Sequence, residues 1–100
     1  MVPGVQVRSR FEWDEVKADE NLRKHALSFE GAIEVFLDPL SITNFDPDHS
    51  TDEHRYVDIG LSEKSGVLVV VYTERGTKIR IISCRRATAA EQRRYERARR

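Results

Sequence analysis

Residues 67–72, VLVVVY, constrain the fold more than any other part of the chain. A nearly continuous apolar run of this length, rich in β-branched residues, fits a strand in the middle of a sheet. Polar, turn-forming segments bound it on both sides, residues 62–66 before it and Glu74-Arg75-Gly76 after it. Beyond those turns lie two more strand-like runs, 56–61 and 79–84. Three strands joined by short turns imply an antiparallel meander. The apolar run is far too short to span a membrane.

The rest of the chain supplies layers for that sheet. Phe11 and Trp13 alternate with Glu12 in a short strand pattern. Asp14 suits an N-cap, and a helix is expected to about His25 with Val16, Ala18, Leu22 and Ala26 as its apolar set. Ser28 is a second N-cap, followed by Phe29, Ala32, Ile33, Phe36 and Leu37 at helical spacing. Pro39 should end that helix near Leu37, because the residue before proline avoids helical angles. A short strand is expected over 40–45, then an acidic loop over 46–55. Thr88 and Glu91 form a T-x-x-E capping box that opens a last helix, running to near Arg97.

The expected fold class is α+β: an antiparallel β-sheet with two N-terminal helices packed on it and a C-terminal helix. The 100 residues suit one domain over 11–100, preceded by a flexible leader at 1–10. A single cysteine, Cys84, excludes a disulfide framework and fits a reducing compartment. The first residues lack a secretory signal pattern, so a cytoplasmic protein is expected.

Charge is divided unevenly. The 17 basic and 17 acidic residues cancel overall, yet residues 75–100 hold 10 of the bases and only 2 of the acids. Such an end can attract a polyanion, an acidic protein, or the chain's own acidic half. Lys78 and Arg80 alternate along the last strand, Arg85 and Arg86 follow at its end, and Arg93 and Arg94 continue along the helix around Tyr95. Arginine's planar fork suits phosphate, and strand positions hold it rigidly. Surface solvation is the plain alternative for these charges. Lys24 and His25 suit a helix C-terminus on dipole grounds alone, or could move protons. Asp46, Asp48, His49, Asp52, Glu53 and His54 crowd one loop, but without the glycine and terminal glutamate of a calcium loop. No metal or cofactor is expected. Cys84 ends a core strand, and a packing role is expected there despite the adjacent arginines.

Several motifs together resemble the BrnT family of toxins: W-D-x-x-K from Trp13, K-H at Lys24-His25 before S-F-E, F-x-D-P at 36–39, Y-T-E-R-G at 72–76, and R-I-I-S-x-R-R-A-T from Arg80 with the later E-x-x-x-Y ending at Tyr95. The resemblance covers residues 11–97, and Cys84 stands where alanine is common. It implies a small RelE-like ribonuclease of a type II toxin–antitoxin system that degrades RNA and blocks translation. It implies a ribbon-helix-helix antitoxin (BrnA-like) in a 2:2 heterotetramer that contacts operator DNA through the antitoxin. Carried over to this sequence, the catalytic residues would be Arg80, Arg85, Lys24, His25 and Tyr95. Arg86 and Trp13, which the family motifs also match, would bind the RNA together with Lys78, Arg93 and Arg94 of the basic strand and helix.

A metal-independent mechanism would use the RNA's own 2′-OH as nucleophile and leave 2′,3′-cyclic phosphate ends. Arg80 and Arg85 would stabilise charge on phosphorus, Arg86 would hold a neighbouring phosphate, and Tyr95 would stack or position. Lys24 or His25 would handle protons. Two rival readings use the same basic end without chemistry: a nucleic-acid-binding module, or a dock for an acidic protein partner.

Overall fold

The computed structural model describes residues 10–47 and 53–98. Residues 1–9 of the expected leader and the loop residues Asp48, His49 and Asp52 lie outside the described residues, whereas Arg10 is described and its carbonyl accepts the Ile79 amide. The elements are β1 (Phe11–Glu12), α1 (Glu15–His25), α2 (Phe29–Leu37), β2 (Ile42–Asp46), β3 (Arg55–Ser62), β4 (Gly66–Arg75), β5 (Lys78–Arg86) and α3 (Ala89–Ala98).

Local chemistry sets the helix starts. Asp14 Oδ1 accepts from the amides of Val16 and Lys17, and Ser28 Oγ accepts from Gly31. At α3 the capping box closes in both directions: Glu91 donates its amide to Thr88 Oγ1, and Thr88 donates its own to Glu91 Oε1. Helix α1 ends at Ala26, which takes a left-handed φ of 58° and returns its amide to the Leu22 carbonyl.

The five strands form one sheet in the order β1-β5-β4-β3-β2, with the apolar β4 at its centre. The meander β3-β4-β5 is antiparallel, and β2 extends it antiparallel on β3. The sheet is nevertheless mixed, because β1 runs parallel to β5 with Phe11 opposite Ile79 and Glu12 opposite Arg80. The expectation of an antiparallel sheet fails at this edge. A strand preceding two helices and a meander returns to the far side of the sheet, and periodicity carries no information about its direction.

The two faces of the sheet bury different cores. Helices α1 and α2 lie on one face, over Leu68, Val70, Ile81 and Cys84 with Phe29, Ala32 and Val35 from α2. Helix α3 lies on the other, where Tyr95 packs on Ile59 and Val69. A bulge in β5 shifts its alternation: Val71 faces Ser83 while Tyr72 faces Ile81, so Ile82 is an extra residue. Ile81 and Cys84 therefore enter the same core, and the strict alternation expected through Ile79, Ile81 and Ser83 breaks after Ile81. Burial raises the Cys84 thiol to about 12, which suits packing rather than reactivity.

Helix α1 docks in an unexpected way. Its one buried residue is Asn21, whose Oδ1 accepts the Cys84 amide at 3.0 Å and whose Nδ2 donates to the Leu27 carbonyl at 3.0 Å. Strand β1 pairs with only the first part of β5, so among the described residues the later β5 edge has amides without a neighbouring strand. Asn21 satisfies one of them. The price is orientation: Val16 and Leu22, expected to face the core, are 64% and 52% exposed.

Candidate active site

The face opposite α1 and α2 is covered by α3 at one end only. On the open part, three strands place Glu12, Arg80 and Thr73 side by side, since Arg80 is in register with both others. Arg80 Nη1 donates to Glu12 Oε2 at 2.8 Å, and the two side chains are 30% and 31% exposed. The Thr73 hydroxyl is buried and finds no hydrogen-bond partner among the described residues. A half-open carboxylate–guanidinium pair can take a proton and stabilise anionic charge within one small site.

Arg85 reaches the same face, because its cross-strand partner is Val69 of the α3-side core. Its guanidinium is held by Glu91 in a two-pronged contact at 2.7 and 2.9 Å. That bond and the Thr88 amide hold the Glu91 carboxyl down at about 2, against the smaller opposing effect of burial. Thr73 and Val69 stand four positions apart on β4, so Arg80 and Arg85 are separated by roughly 13–14 Å of strand.

Arg86 turns the other way. It pairs with Leu68 of the helix-side core and donates from Nη1 to the His25 carbonyl at 3.0 Å. Lys24 and His25 share a shallow cleft with Lys17, Ile82 and Ser83 at the free edge of β5. The expected site residues thus fall into two groups, Arg80 with Arg85 on the open face and Lys24, His25 and Arg86 around the sheet edge.

Tyr95 is 2% exposed and its hydroxyl donates to Asp38 Oδ2. The same carboxylate accepts the amides of Leu40 and Leu61, both at 2.9 Å. Tyr95 therefore fastens α3 across the end of β3 to the α2 terminus, and in this structure it has no face open for stacking on a base. Trp13 packs edge-on against Phe29 at 5.9 Å, on the helix-side core. Lys78 and Arg93 are exposed, as is Arg94, which donates to Asn44 at 3.4 Å.

The uneven charge is partly absorbed within the chain. Arg75 of the basic end pairs with Glu53 at 2.8 Å and Arg80 with Glu12, both acids from the acidic part. Glu12 is the candidate site residue that the sequence pattern hides. It reads as the polar position of an alternating strand, and only the parallel pairing of β1 with β5 brings it to Arg80.

The family model described as "Ribonuclease toxin, BrnT, of type II toxin-antitoxin system" matches residues 13–91. The chain belongs to the BrnT family. Its fold is similar to the crystal structure of the Brucella abortus ribonuclease toxin BrnT, with a TM-score of 0.59 and 28% sequence identity over 78% of this chain and 95% of that one. No curated protein matches the chain. The BrnT match makes this chain a ribonuclease toxin of a type II toxin–antitoxin system, with an antitoxin as its partner. The α+β architecture, five strands in a mixed sheet with three helices, agrees with the BrnT likeness. No helix of the described residues is long and apolar enough to cross a membrane.

Proposed function

We propose that the chain is a metal-independent endoribonuclease with its reaction centre at Glu12 and Arg80 on the open sheet face. The observation that carries this reading is the 2.8 Å pair between them, half-open to solvent beside a buried hydroxyl. Glu12 takes the proton from the 2′-OH of the RNA. The 2′-oxygen forms its bond to phosphorus as the bond to the 5′-oxygen breaks, and water protonates the leaving oxygen. Arg80 stabilises the charge that builds on the phosphoryl oxygens, where a fixed donor is most effective.

Arg85 extends the positive face toward α3, its fork held in one direction by Glu91. Lys24, His25 and Arg86 hold the RNA where it passes the edge of the sheet, with Lys78, Arg93 and Arg94 as outlying cations. The products are 2′,3′-cyclic phosphate and 5′-OH ends, and the loss of intact RNA blocks translation. Grouping with RelE-like toxins follows from the resemblance, as does neutralisation by a ribbon-helix-helix antitoxin in a 2:2 complex that binds operator DNA.

The test is RNA cleavage in EDTA by the purified protein, Arg80→Ala and Glu12→Gln, with product ends read by end labelling. Each variant is expected to lose at least about 100-fold in rate with its fold intact. Wild-type rates in both variants would overturn the assignment. Salt-sensitive binding by the wild type, with no new RNA ends, would favour a non-catalytic nucleic-acid-binding module instead.

A further inference from the structure

Helix α1 spends its buried position on a polar residue and leaves its apolar stripe outside. Val16 and Leu22 stand on the surface, and Leu22 lines three adjoining hollows. One lies over α1 itself between Val16 and Asp19. The next runs between α1 and α2, floored by Trp13, Ala18 and Phe29. The last continues past Ala26 and Leu27 toward Ser62. Together they form a furrow along the helical face, on the side of the sheet away from Arg80.

The furrow has a sign. Glu15, Asp19 and Glu30 border its middle part, and Glu34 borders the far end, while Arg23 and Lys64 are the cations along it. An apolar floor with a mainly acidic rim is complementary to an amphipathic segment that carries a branched apolar side chain between basic ones. The family membership supplies a partner whose seat on this chain is unassigned, the antitoxin.

We propose that the antitoxin docks a basic amphipathic segment in the α1–α2 furrow, with Leu22 at the centre of the interface. Val16 and Leu22 supply the apolar anchor that the fold itself leaves unused, and Asp19 and Glu30 select the basic partner. This seat is separate from the basic C-terminal end, so binding there does not depend on the arginines of the sheet. It is also independent of the Glu12–Arg80 assignment.

The test uses the whole chain and the antitoxin encoded with it. Binding is measured by titration for wild type, Leu22→Asp, Val16→Asp and the double Asp19→Lys/Glu30→Lys variant, with RNA cleavage followed in parallel. The Leu22→Asp variant should bind at least about 30-fold more weakly, as expected for a central anchor, while keeping its own cleavage activity and escaping neutralisation. The double lysine variant should bind more weakly with a shallower salt dependence. Unchanged affinity in Leu22→Asp and Val16→Asp would overturn the proposal. So would light scattering that shows the wild type alone as a dimer split by Leu22→Asp, because the furrow would then belong to a second copy. If no variant cleaves RNA but binding falls as expected, the reaction assignment fails and the docking seat stands.

Discussion

Replacing Asn21 with alanine should cost more than any other single polar deletion in α1. The side chain is buried and makes two bonds, to the Cys84 amide and from its own amide to the Leu27 carbonyl. Cys84 and Leu27 are themselves buried, so water cannot replace both partners. An unsatisfied buried group costs about 1–3 kcal/mol, and two of them about 2–6 kcal/mol. Alanine's better helix propensity returns about 0.6 kcal/mol. The net loss should be about 1.5–5 kcal/mol, which for a domain of this size lowers Tm by about 6–40 °C. Urea unfolding should show a lower midpoint with an unchanged m-value. Hydrogen exchange at the Cys84 amide should accelerate more than exchange at the β4 amides. A loss below about 0.5 kcal/mol would refute the account of how α1 is docked.

Ala26→Gly should stabilise the protein by about 0.5–1 kcal/mol, since glycine adopts the left-handed cap without strain, and thermal melting would show it. Gly60→Ala should destabilise by about 1–3 kcal/mol, because the added Cβ would lie 2.8 Å from Val35 Cγ1 and 3.2 Å from the Val35 carbonyl. The Glu91 carboxyl is held below its ordinary value, so its pairing with Arg85 stabilises the fold above pH 4.5 and is lost as pH falls toward about 2. Glu91→Gln should flatten the stability profile across that window in acid titrations followed by circular dichroism. Tyr95→Phe should loosen α3 by about 1–2 kcal/mol through loss of the bond to Asp38, and RNA cleavage by that variant should persist.

The parts legible in the sequence are those set by neighbours along the chain. Asp14, Ser28 and the Thr88–Glu91 box mark real helix starts, Pro39 follows the end of α2, and the meander is where its turns place it. The parts that were hidden depend on distant segments. The bulge at Ile82 changes which β5 side chains share a face, although nothing in the local pattern announces it. The unpaired edge of β5 selects Asn21 over Leu22 as the buried residue of α1, a choice that helix periodicity alone reverses. Arg80 was visible as a candidate from its charge and strand position. Its partner Glu12 was not, because the parallel β1–β5 contact that joins them has no signature in either strand. Arg85 and Arg86 are adjacent in sequence and so look like one cluster, but alternation sends them to opposite sides of the sheet.

The Glu12–Arg80 pair joins residues 68 positions apart, and among the described residues β1 has no sheet partner other than β5. A chain emerging from the ribosome can form α1, α2 and the first hairpin of the meander while β1 still has nothing to pair with. Contacts of such long sequence separation form late, after the local elements. On the proposed chemistry, a nascent or truncated chain that stops before residue 80 contains the carboxylate but not the guanidinium, so the reaction centre is completed only once the last strand has been made.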